Sequence, residues 1–218
     1  PADGRNDDAL RIRSQILLAF EKAENETDPT ERNKLLTIVV VGGGPTGVEF
    51  AGELHDFLHN DLIPRYPTIK NNVSLTLLEA GPRLLSTFNE SLSKYAMRSF
   101  TKRKINVQID TPVKSISENE ILLADGSRIN YGLIIWSAGV AMPALIKALP
   151  VEKGPMGRIV VDEYFRVLGQ RDVYAIGDCS FVSGKEYPMT AQVAQQAGKY
   201  LARTLSKTLS GHKAKPFH

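Results

Sequence analysis

The sequence predicts an α/β protein built on a parallel sheet. Three observations predict it. Leu36 to Val41 is a β-branched run ended by Gly42, with the unbroken apolar character of a strand buried on both faces. A glycine-rich turn follows, and Thr46 to Leu62 then repeats at helical spacing through Val48, Ala51, Leu54, Phe57 and Leu58. Strand-sized and helical patterns continue to alternate downstream, with Val73 to Leu78 and Ile105 to Ile109 as strands and Leu92 to Thr101 as a helix between them.

The remaining elements follow from local patterns. Residues 9 to 23 predict a helix whose apolar face carries Leu10, Ile12, Ile16, Leu17, Phe20 and Ala23. Asn25 to Asn33 is polar, contains Pro29, and reads as a linker ending in a helical turn. Pro64 and Pro67 stop the helix that starts at Thr46. From Val113 the rhythm shortens: Val113 to Ser117, Glu120 to Leu123 and Ser127 to Asn130 are closely spaced strand candidates, with Asp125-Gly126 as a hairpin turn. Such a run needs no helix between its strands and predicts an antiparallel meander. Leu133 to Trp136 returns to a buried strand, ended by Gly139 and Pro143. A second unit is expected beyond Pro150, with strands at Arg158 to Val161 and Val173 to Ile176 and a helix over Ala191 to Leu209. The expected division is therefore 1–36, 37–150 and 151–218.

Composition narrows the function classes. The 218 residues are 42% hydrophobic and 23% charged, ordinary for a globular protein. A net charge of +3 gives no ground for nucleic-acid binding, and Lys102-Arg103-Lys104 and the tail around Lys213 and Lys215 read as solvated faces. Cys179 is the only cysteine, which excludes an intrachain disulfide and a paired-cysteine redox centre; it reads as a small buried residue. No apolar run approaches the roughly 20 residues of a membrane span. No metal site is read.

Gly42-Gly43-Gly44-Pro45-Thr46-Gly47 is a G-x-G-x-x-G between a buried strand and a helix, the context of a dinucleotide-binding Rossmann unit. Gly42 is assigned the tight turn, Gly44 the close approach of a pyrophosphate, and Gly47 the helix–strand contact. Free N–H groups of the helix start face the phosphates. Glu79 ends the second strand, 32 residues after Gly47. There it either accepts from an adenosine ribose, favouring NAD over NADP, or is an exposed strand-end carboxylate, with Arg83 as a nearby positive charge. Glu49 is expected in the first turn of the helix, either pairing with its dipole or reaching a nicotinamide carboxamide.

Gly42 to Leu54 (GGGPTGVEFAGEL), continued by His55-Asp56-Phe57, resembles the type II NADH:quinone oxidoreductases, the alternative NADH dehydrogenases. Leu133 to Val140 (LIIWSAGV), Val173 to Cys179 (VYAIGDC) and Thr190 to Gln196 (TAQVAQQ) agree in the same order, as does the leading helix with Arg11, Arg13 and Phe20 to Ala23. The resemblance implies two Rossmann-like domains, an NADH domain inserted within an FAD domain, with electrons passing from NADH through FAD to a membrane quinone. It assigns Gly42, Gly43, Gly44, Gly47, Glu49, Glu79 and Gly139 to NADH, and Gly177 and Asp178 to FAD. Ala191 and Gln192 lie by the flavin ring, and Gln192 and Gln195 face the quinone. In terms of residue chemistry alone, Asp178 also suits a turn cap, and the two glutamines also suit an ordinary polar surface. No side chain is assigned as a catalytic acid or base.

On the same resemblance, 1–36 is a leading helix and linker, 37–150 the NADH-binding domain and 151–218 the C-terminal part of an FAD-binding domain. The sequence shows a single G-x-G-x-x-G and opens without a methionine, so it is expected to be a fragment lacking the FAD pyrophosphate motif and the membrane-binding region, and inactive by itself. The full-length protein is expected as a peripheral protein of the mitochondrial inner membrane, or of a bacterial cytoplasmic membrane, with a homodimer as an option. The competing expectations are an NADH-binding module alone and a flavoprotein reductase with a soluble acceptor.

Overall fold

In the computed structural model, which describes residues 4–139, 141–213 and 215–217, the chain opens with α1 (Gly4–Asn25) and a short α2 (Pro29–Leu35). Asp28 caps α2 by accepting from the Thr30 N–H, and Pro29 sits in its first turn, where a missing N–H is harmless. β1 (Thr37–Val41), α3 (Pro45–Phe57), β2 (Ser74–Leu78), α4 (Glu90–Lys102) and β3 (Asn106–Gln108) follow. Then come the short strands β4 (Val113–Ile116), β5 (Glu120–Leu123) and β6 (Arg128–Asn130), and β7 (Leu133–Trp136). The chain divides into two units, Pro1–Gly139 and Val140–His218, so residues 141 to 150 pack with the second.

The first unit holds a parallel sheet in the order β3-β2-β1-β7, with Val41 registered against Leu78 on one side and Trp136 on the other. Pleating sends alternate β1 side chains to opposite faces. Ile38 and Val40 pack with Ile16, Phe20 and Ala23 of α1 and Ala51 and Leu54 of α3. Val39 and Val41 pack against Ile121 and Leu123 of the meander and against Tyr131. Both faces are covered, which is why β1 reads as a continuous β-branched run. Each such fully buried side chain contributes about 1.5–3 kcal/mol. The meander is antiparallel, β4-β5-β6, and turns at Asp125-Gly126, where the Asp125 carboxylate accepts from the N–H and hydroxyl of Ser127. The helix expected to run from Thr46 to Leu62 changes register at Phe57. Leu58–Leu62 is a π-helical turn in which the Ile63 N–H donates to the Leu58 carbonyl at 2.8 Å. Its wider winding lets both Leu58 and Leu62 reach the core.

In the second unit α5 (Ala144–Ala148) leads to β8 (Ile159–Val161), β9 (Ser180–Val182) and α6 (Ala191–Leu209), and β8 pairs with β9 in parallel. Val173 to Ile176 is not the expected strand. Only Tyr174 bridges a neighbour, Arg166, because Phe165 and Asp172 adopt left-handed φ of 64° and 59° and bend both partners out of register. β9 was not read from the sequence, since three residues with a leading serine carry no alternation. Phe217 closes this core, with its ring 4.9 Å from that of Phe165 and 5.2 Å from those of Tyr187 and Tyr200. Among the described residues no helix is long and apolar enough to cross a membrane.

Candidate dinucleotide site

The site residues of the first unit gather at the carboxyl ends of β1, β2 and β7. The strand order departs from β1 in opposite directions there, the usual place for a crevice in an open α/β sheet. Gly42 leaves β1 with φ +111°, and its N–H donates to the Leu78 carbonyl at 2.8 Å. A Cβ at Gly42 would lie 2.8 Å from the Ala138 nitrogen. At Gly47 a Cβ would lie 1.8 Å from the Gly42 carbonyl oxygen, so this glycine sets how closely α3 approaches the turn. Gly44 differs: it is exposed, extended at φ −73° and ψ −178°, and a Cβ there would meet nothing within 4 Å. It is also the N-cap of α3 and offers no side chain to the helix donors, which stay available to an anion.

Glu79 carries two bonds that sequence reasoning did not anticipate. One carboxylate oxygen accepts from the Gly43 N–H and the other from the Gly81 N–H, both at 2.6 Å. The Gly43 carbonyl in turn accepts from the N–H of Leu85 at 2.8 Å, with Leu85 in a left-handed conformation at φ 52°. The 79–85 segment therefore wraps Gly43 from both sides, and Glu79 is half-buried instead of being a free strand-end carboxylate. Arg83 is turned to its own loop, where it donates to the carbonyls of Ser86 at 2.6 Å and Phe88 at 3.1 Å. Glu49 departs from expectation. Helix α3 starts at Pro45 and has no acidic residue in its first turn, so Glu49 is an exposed side chain of the second turn. The dipole reading weakens there because the effect fades beyond the first turn.

On the β7 side the Ser137 hydroxyl donates to the Val41 carbonyl at 2.8 Å, tying the two strand ends together. Trp136 is 56% exposed, and its indole N–H donates to the Ala138 carbonyl at 2.6 Å. Gly139 follows, exposed and with φ +73°. Val140, the last residue of that segment, lies outside the described residues.

The other predicted residues fall in the second unit. Gly177 opens a 3-10 turn, Gly177–Cys179, against α6; a Cβ on it would lie 3.4 Å from the Cβ of Ala194. Asp178 does not follow a strand, and its exposed carboxylate accepts no hydrogen bond within the turn, so it is not acting as a cap. Thr190 caps α6 by accepting from the Val193 N–H at 3.4 Å, and Ala191, Gln192 and Gln195 are exposed near that end. Cys179 is half-buried, and burial pushes its thiol up from the ordinary value, away from the thiolate a nucleophile needs.

Residues 10–198 match one family along most of the chain. The chain belongs to the pyridine nucleotide-disulphide oxidoreductase family. Within it, the chain is 40% identical over 211 residues to the external alternative NADH-ubiquinone oxidoreductase, mitochondrial, of Yarrowia lipolytica, covering 91% of this chain and 36% of that protein. It is 44% identical over 204 residues to the internal alternative NAD(P)H-ubiquinone oxidoreductase A1, mitochondrial, of Solanum tuberosum, covering 91% and 41%. The structure of NDH2 from Plasmodium falciparum in complex with NADH superposes with a TM-score of 0.83 at 26% identity, covering 92% of this chain and 56% of that one. The chain spans less than half the length of these curated relatives. The α/β flavoprotein fold of this oxidoreductase family accounts for the parallel sheet, its meander and the smaller second unit.

Proposed function

We propose that this chain is the NADH-binding portion, with part of the FAD-binding portion, of an NADH:quinone oxidoreductase. The observation that carries the proposal is the open space over Gly44 beside the fixed carboxylate of Glu79. A pyrophosphate suits the first, and ribose hydroxyls suit the lone pairs that Glu79 retains after its two backbone bonds. Gly42, Gly43, Gly44 and Gly47 shape the phosphate turn, and Glu49 and Gly139 lie toward the nicotinamide end. In the second unit Gly177, the uncommitted carboxylate of Asp178, and the exposed Ala191 and Gln192 suit FAD, which when bound supplies the hydride acceptor and passes two electrons onward. Gln192 and Gln195 orient the quinone by hydrogen bonding, and no side chain acts as acid or base in the hydride step. The names of the relatives support NADH and ubiquinone as substrates and a mitochondrial setting. Peripheral attachment to the inner membrane, through regions outside these residues, and a homodimer complete the proposal.

Cofactor choice tests the NADH half. Arg83 is committed to its loop, which leaves the Glu79 carboxylate as the charge that a 2′-phosphate meets. NADH is expected to bind at least about ten-fold more tightly than NADPH in a fluorescence titration, a preference of about 1.4 kcal/mol or more. Glu79→Gln should narrow the gap. Equal affinities in the unmodified chain would show that Glu79 does not read the ribose.

Acceptor choice tests the quinone half. In the whole flavoenzyme, replacing Gln195, which is assigned to the quinone and not to the flavin, with leucine should lower quinone turnover about ten-fold, the loss of one hydrogen bond, while reduction of a soluble dye stays unchanged. Parallel losses with both acceptors would favour a reductase with a soluble acceptor.

A further inference from the structure

Trp136 has no part in the assignments above, yet it ends β7 beside the crevice. It is the only tryptophan in the chain. Its ring is 56% exposed, so packing alone does not fix its orientation. The indole N–H, a donor only, reaches forward two residues to the Ala138 carbonyl at 2.6 Å.

The two halves of this turn are held by different means. The first half is tied to β1, because the N–H and the hydroxyl of Ser137 both donate to the Val41 carbonyl at 2.8 Å. The Ala138 backbone then packs on the phosphate turn, where a Cβ on Gly42 would lie 2.8 Å from the Ala138 nitrogen. The second half is the Ala138–Gly139 peptide. Among the described residues, the indole bond is the only hydrogen bond that this peptide makes. Gly139 follows with φ +73°, and a Cβ there would meet nothing within 4 Å, so no side chain resists rotation of the peptide plane. One side chain therefore decides which way the peptide faces. A trans peptide is planar, with its C=O and N–H pointing in opposite directions. Holding the Ala138 carbonyl toward the indole holds the Gly139 N–H away from it. That N–H is a strong donor with no protein acceptor among the described residues, and it lies where the ends of β1 and β7 open the crevice.

We propose that Trp136 is a positioning residue for NADH: its indole orients the Ala138–Gly139 peptide so that the Gly139 N–H donates to an oxygen of the nicotinamide half of the dinucleotide. The proposal rests on the NADH reading of the glycine turn and adds a second anchor, on the β7 side of the crevice, to the one at Gly44. The donor is aimed before the ligand arrives, so binding does not have to order it. Trp136 acts through the peptide and need not touch the ligand.

Two measurements on the full unmodified chain need no variant. Its single indole N–H resonance should exchange slowly with solvent although the ring is exposed, and NADH should shift the Gly139 amide. Trp136→Phe keeps an aromatic ring and loses the donor. It should bind NADH about five- to ten-fold more weakly, as for one hydrogen bond. Its melting temperature should not change, and neither should its affinity for 5′-AMP, which on the same reading fills only the adenosine half beside Glu79. General damage to the site would weaken both ligands together, which separates positioning from a merely structural role. The proposal is overturned if folded Trp136→Phe binds NADH as tightly as before, if it loses NADH and 5′-AMP in parallel, or if the indole N–H exchanges like that of a free side chain. NADH binding that depends on Gly44 but leaves the Gly139 amide unmoved also overturns it, with the NADH reading intact. A chain that binds no NADH defeats both.

Discussion

Gly47→Ala is expected to leave no folded first unit to assay. The added methyl would sit 1.8 Å from the Gly42 carbonyl oxygen and 2.7 Å from the Ser137 hydroxyl. Neither neighbour has room to yield. The Gly42 N–H is bonded to Leu78, and Ser137 is bonded to Val41 through both its N–H and its hydroxyl. Relief requires α3 to slide off the sheet, which would pull Ala51 and Leu54 out of the core. Ordinary overpacking costs about 1–3 kcal/mol, and a contact this short exceeds that range. Whole domains are stable by only about 5–15 kcal/mol. Soluble yield and a circular-dichroism melt provide the check, and a melting temperature within a few degrees of the unmodified chain would show that the contact relaxes.

Gly44→Val should do the reverse, keeping the fold and losing the ligand. A side chain at Gly44 meets no protein atom, and its extended backbone is one that valine adopts readily. The same side chain fills the space over the helix start where a pyrophosphate has to approach. NADH affinity should fall by more than about 100-fold, or about 2.7 kcal/mol, with an unaltered melt. Undiminished NADH binding by the folded variant would remove the glycine turn from the cofactor site.

The legibility of the sequence varied with the kind of force involved. Regular burial was plain: β1, β2 and β7 are apolar because both faces of the sheet are covered, and the meander announced itself through Asp125-Gly126. The π-helical turn was hidden because Leu58 and Leu62 keep a helical apolar pattern across it. Val173 to Ile176 looked like a strand because it is apolar, but left-handed residues on either side of the bridge prevent a ladder. In the site, the glycines were legible as steric requirements. The bonds of Glu79 to Gly43 and Gly81 were not, because they depend on how the 79–85 loop folds back.

The double attachment of Glu79 also bears on how the nucleotide preference of such a site can be redesigned or drift. One side chain both discriminates between cofactors and staples the loop that shapes the phosphate turn. A substitution that welcomes a 2′-phosphate leaves the N–H groups of Gly43 and Gly81 short of an acceptor, at about 1–3 kcal/mol for each one buried. Specificity and stability are thus pleiotropic at this position. A path to NADPH runs first through compensating changes in residues 80 to 85, such as a shorter loop or a second acceptor for Gly43, and only then through Glu79 itself.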